Sequence, residues 1–120
     1  MSSAPAQAHS GDAGDARAAA MRALEALHAA TGEPPPSDGE PGEVITRGEV
    51  ILAERERLLD ELGAALELDP DALAGVAEAI QLHAGIQQGT AAWLGALTRA
   101  RHVVGQRVQS VARLRRNTHR

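Results

Sequence analysis

The side chains able to do chemistry in this chain are few and scattered. Five histidines (His9, His28, His83, His102 and His119) are the groups that could serve as neutral-pH bases or nitrogen ligands. None stands at helical i, i+4 spacing with another histidine or with a carboxylate in a metal-like motif, so the spacing implies no metal centre. His83 falls on the apolar line of a helix and reads as an interior or edge histidine. Cysteine is absent, which removes disulfides, thiolate ligands and a cysteine nucleophile. No serine lies in a G-x-S-x-G context, and the glycines build no phosphate-cradling loop. The expectation is a protein that is not an enzyme and takes no cofactor.

The chemistry that remains is electrostatic. Glu78 is the last acidic residue, and the stretch after it carries Arg99, Arg101, Arg107, Arg113, Arg115, Arg116 and Arg120 with no carboxylate side chain. All 16 acids lie at or before Glu78, beside only Arg17, Arg22, Arg47, Arg55 and Arg57. A formal charge of −4 is thus an acidic part joined to a basic one. Such asymmetry points to a charged partner or to pairing between the chain's own ends. The basic stretch has three readings: a solvated face complementing a helix dipole, a contact for an acidic protein surface, and a nucleic-acid site. The absence of Lys, Phe and Tyr, together with the overall acidity, disfavours the last, since no aromatic platform exists for base stacking.

Helices must position these charges. Residues 1–15 are rich in Ser, Ala, Gly and Asp and read as a disordered tail. Residues 16–31 (ARAAAMRALEALHAAT) read as a short amphipathic helix with Asp15 as N-cap and Met21, Leu24, Leu27 and His28 on one side. Whether it packs on the rest is left open. The heavy alanine usage reads as genome composition bias. Residues 32–42 (GEPPPSDGEPG) read as a Pro/Gly-rich tether. A helical hairpin follows over 43–117, with 118–120 as a short tail. Its first helix, 43–68, has a seam at Ile45, Gly48, Leu52, Arg55, Leu59, Leu62 and Leu66, flanked by Val44, Ile51, Leu58 and Ala65. Asp69-Pro70 reads as an immediate restart, Asp69 as N-cap and Pro70 as first helical residue of a helix running to about Arg116. Along it, Gly85 and Gly89 in HAGIQQGT mark either a weak point or a close helix approach. The fold class is all-α: an antiparallel hairpin with a long C-terminal helix, or a three-helix bundle.

The lengths then place a candidate site. A 43–68 helix covers its successor only to about residue 95, so 99–116 projects. An apolar stripe persists there among the arginines and calls for cover. Trp93, the single aromatic, either packs inside the bundle or anchors a partner. The candidate partner-binding set is Trp93, Leu97, Val104, Val108, Val111 and Leu114 for apolar contact, with Arg101, Arg107 and Arg115 as a charged rim.

The segment TRGEVILAERERLLDELGAAL, followed by a long helix ending AAWLGALTRARHVVGQRVQSVARLRR, resembles the bacterial flagellar export chaperones of the FliT and FlgN type, over about residues 44–116. The resemblance implies a cytoplasmic, non-enzymatic helical chaperone that holds an amphipathic segment of a secreted axial protein and delivers it to the export machinery. The chain departs from that pattern in its long low-complexity N-terminus and its lack of Tyr and Phe. Alternatives are a self-associating coiled-coil adaptor and a small nucleic-acid-associated protein. No stretch approaches the roughly 20 apolar residues of a membrane span, and Met1–Gly14 lacks the basic and apolar regions of a secretory signal.

Overall fold

The computed structural model describes the backbone of residues 3–118 and the side chains of residues 14–118. It is all-α, with α1 at Ser3–Gly32, α2 at Pro41–Leu68 and α3 at Ala77–Thr118, and no strand among the described residues. α1 lies against the hairpin, which makes a three-helix bundle. Arg17 Nε donates to the Ala72 carbonyl at 2.9 Å, and sixty residues apart Trp93 Nε1 donates to the Glu33 carbonyl at 2.8 Å. The middle and the C-terminal end of α1 are therefore tied to the 72–93 stretch in parallel order, with α2 antiparallel to both. The molecule measures 89 × 24 × 16 Å. α2, at 28 residues, accounts for about 42 Å of the long axis. The other two helices overrun it, one at each end.

α1 begins well before the N-cap expected at Asp15. Its described packing starts at Ala16. Met1, Ser2 and the side chains of 3–13, the bulk of the tail expected over 1–15, lie outside the described residues, as do His119 and Arg120. The buried face of α1 is built from Ala16, Ala20, Ala23, Leu24, Leu27 and Thr31. The alanines read as compositional bias are contact residues: with no side chain beyond Cβ they let another backbone come close. Met21 packs at the edge of this core, and His28 is exposed.

Because α2 touches two helices, its burial is not confined to the expected seam. Gly48 is its one buried seam residue, joined by Val44, Leu58 and Ala65 from the flank, while Leu52, Leu59, Leu62 and Leu66 are half-buried. One core cluster joins Leu24, Leu27, Leu58, Ala79 and Ile86. The other joins Val44, Trp93, Ala96 and Ala100.

The helix does not restart at Pro70. Residues 70–75 form turns, with the Ala72, Ala74 and Val76 N–H groups donating three residues back to the Asp69, Asp71 and Leu73 carbonyls. Asp69 does act as a cap, its Oδ1 accepting from the Asp71 N–H at 3.1 Å, but it caps a turn. Gly75 at φ +73° explains the delay, since the left-handed conformation interrupts a helix and suits glycine. α3 then begins at Ala77, with Glu78 in its first turn complementing the dipole.

α3 runs unbroken through 83–90. A Cβ at Gly85 would stand 2.7 Å from His28 Nε2, and one at Gly89 would stand 2.9 Å from the Thr31 carbonyl carbon. The two glycines are where α1 and α3 come together, and that packing stabilises the stretch their propensity weakens. Among the described residues, no helix is long and apolar enough to cross a membrane.

Candidate interaction surface

The late start of α3 moves the end of the covered region. Leu68 and Ala77 flank the turn, and 27 residues further along each helix stand Pro41 and Val104. Cover therefore reaches Val104 and not residue 95. Val103 and Val104 are half-buried, and every residue from Gly105 to Thr118 is exposed. The linker finishes the boundary. Glu40 accepts from Arg107 Nη1 at 3.3 Å, and Glu33 pairs with Arg47 at 3.2 Å. Pro35, Pro36 and Val103 line a groove of about 290 Å³ at this end. The segment read as a tether is thus docked on the helices at both ends.

The expected site residues divide at this boundary. Trp93 and Leu97 are core: both are at most 1% exposed, the indole N–H is bonded to the Glu33 carbonyl, and Leu97 fills the space beside Gly48. They hold the bundle together and are closed to a partner in this fold. The Arg47 guanidinium carbon lies 6.0 Å from the Trp93 ring centroid, at the limit for a cation–π contact. Arg101 stands 3.8 Å from Glu49, an exposed pair. Val104 is half-buried, while Val108, Val111 and Leu114 are exposed at 64%, 53% and 65%. Arg115 is exposed, and like Arg113 and Arg116 it makes no ion pair among the described residues.

The exposed valines continue the core. Ile86, Trp93, Leu97 and Ala100 form the buried line of α3, half-buried Val104 continues it, and Val108 and Val111 extend it at the same helical spacing. At about 100° per residue, Arg101 and Arg107 lie about 60° to either side of Val104, and Arg115 closes the line at its far end. An incoming helix meets here the surface that α2 meets one turn earlier. The acids that already approach this helix, Glu49 at Arg101 and Glu40 at Arg107, are a sample of the complementary chemistry.

The acidic outer face of α2 holds its own charges. Arg57 bonds both Glu54 and Glu61, the latter at 2.6 Å. The hydrogen bond from Arg57 holds the Glu54 carboxyl below the usual carboxylate range, opposed by desolvation and aided by the guanidinium's charge. The same Glu54 bond raises the Arg57 pKa.

Sequence reasoning missed the roles of Glu33, Glu40 and the linker prolines. Their signal was two acids in a proline-rich segment flanked by arginines on both following helices, Arg47 on α2 and Arg107 on α3. No family model, curated protein or solved structure matches this chain.

Proposed function

We propose that this chain is a non-enzymatic helical binding protein, a flagellar or type III export chaperone that holds an acidic amphipathic segment of a secreted axial protein in the cytoplasm. The observation that carries the reading is the run of Val108 and Val111 along the core line of α3, past the end of α2, between arginines. An apolar stripe with a charged rim suits an amphipathic helix laid alongside it. Because no acid follows Glu78, the complementary charge must come from elsewhere. A second copy of the same stretch would set arginine against arginine, which argues for an acidic partner over self-pairing. The flagellar assignment rests on the resemblance of residues 44–116.

The test is titration calorimetry of an acidic amphipathic peptide from a flagellar axial protein into the full chain and into a chain ending at Val104. Binding that weakens with salt and disappears on truncation is the expected result. Equal binding to both forms overturns the reading. Tight duplex DNA binding with a steep salt dependence would favour a nucleic-acid role instead. A dimer in light scattering that becomes monomeric on truncation would favour self-association.

A further inference from the structure

The overhang of α3 has a direction as well as a chemistry. Every residue from Gly105 to Thr118 is exposed, and those 14 residues are the length that α2 does not reach. As a helix they span about 21 Å, or about four turns. Val104, Val108, Val111 and Arg115 follow one another at helical spacing, so the open face continues the line on which α2 packs. The linker leaves that line clear. Its prolines 35, 36 and 41 line a groove with Ala96 and Val103. Those two residues sit about 90–110° around α3 from the middle of the line.

Charge along this face is unevenly matched. At the α2 end, Arg101 already faces Glu49 at 3.8 Å and Arg107 already holds Glu40 at 3.3 Å. Glu40 stands at the N-cap position of α2, yet its side chain makes no capping bond and reaches Arg107 instead. Glu43, in the first turn of α2, is a further acid at this end. At the far end, Arg113, Arg115 and Arg116 make no ion pair among the described residues. A helix laid on the face therefore meets carboxylates at one end and unmatched arginines at the other.

An α-helix has its own asymmetry, because carboxylates stabilise its first turn and destabilise its last. A docked helix can set its acids against Arg115 without opposing its own dipole only if its N-terminus lies at the Thr118 end. Its C-terminal turn then lies beside Glu40 and Glu43, where further acids would be repelled. That end carries the negative pole of its dipole and points at the positive N-terminal pole of α2. A helix of the opposite direction would set its N-terminus against that of α2 and its acids against its own negative pole.

We propose that the overhang takes a helix of about four turns that runs antiparallel to α3, in line with α2, with its carboxylates in its N-terminal half. This rests on the reading of the overhang as a docking surface for an acidic amphipathic segment, and it adds the direction and charge order of that segment.

Two synthetic peptides of equal composition and about 14 residues, titrated into the full chain by calorimetry, test it. Both carry leucines at helical spacing and the same hydrocarbon staple on the outer face, which keeps their helicity equal. One has its glutamates in the N-terminal half, the other in the C-terminal half. The first should bind about fivefold more tightly. A nitroxide at its C-terminus should broaden the amide signals of Gly42, Val44 and Val104, and one at its N-terminus those of residues 114–118. Because only the peptides are altered, no variant of the chain has to fold. Equal affinity, or tighter binding of the second peptide, overturns the proposed charge order. Broadening in the reverse order, or at both ends from either label, overturns the direction and leaves the docking reading standing. Binding of neither peptide overturns the docking reading and this inference together.

Discussion

The two lengths of α3, 77–104 and 105–118, carry the same apolar line and the same absence of acids beyond Glu78, yet they have opposite fates. On the first, Trp93, Leu97 and Ala100 are buried under α2 and the linker. On the second, Val108, Val111 and Leu114 face solvent. The difference is not in the residues' types or spacing. It is where α2 runs out. A stripe at helical spacing is therefore not by itself a core or a site, and the length of its neighbour decides which.

Substitution on the line offers the sharpest way to break this comparison. Trp93→Ala should cost about 3–5 kcal/mol in chemical denaturation, since it empties a fully buried site and removes the bond to Glu33. Val111→Ala, on the same line, should stay within about 0.5 kcal/mol of the parent. Equal losses would mean the overhang is covered in solution.

Glycine substitution should differ in sign between the two lengths. Gly89→Ala sets a methyl against Thr31 and should destabilise by about 1–3 kcal/mol through overpacking. Gly105→Ala meets nothing within 4 Å. It should stabilise by about 0.5–1 kcal/mol through helix propensity if the overhang is cooperative with the bundle. Loss of stability at Gly105 would reveal a contact there. Val111→Asp should abolish binding of the acidic peptide without moving Tm, which separates a docking role from a structural one.

The boundary pair Arg107–Glu40 should show a coupling of about 0.2–1 kcal/mol in a double-mutant cycle, discounted for exposure and falling with salt. The smallest effect lies off the comparison, on the outer face of α2. The Glu54 carboxyl is depressed by Arg57, so its contribution is present above the ordinary carboxylate pKa and is lost as pH falls through the depressed value. Arg57→Ala should remove that slice of acid sensitivity from the stability-pH curve and leave the neutral-pH Tm nearly unchanged.

The all-α class and the end of α2 were legible because Leu, Ile and Val recur at helical spacing and Asp69 follows the segment; the start of α2 falls two residues ahead of the expected one, because Pro41 and Gly42 belong to the helix and not to the tether. The apolar site residues were legible as a line. Their division into core and surface was not, because it turned on Gly75. A left-handed glycine delays α3 to Ala77 and, together with the earlier start of α2 at Pro41, moves the covered boundary from about residue 95 to Val104. Nor was the face of α1 legible. Ala16, Ala20 and Ala23 carry no pattern that separates close packing from an alanine-rich composition.

Sequence alone determined the helices, the stripe along α3 and the confinement of every acid to residues before Ala79, since these follow from side-chain type and helical period. Tertiary structure decided which length of the stripe is core, that Gly85 and Gly89 join helices where they could have broken one, and that Glu33 and Glu40 clamp the linker. Those outcomes depend on the offset between helices. That offset is set by a single backbone conformation at Gly75 and by the space between α1 and α3, neither of which a residue's type reveals on its own.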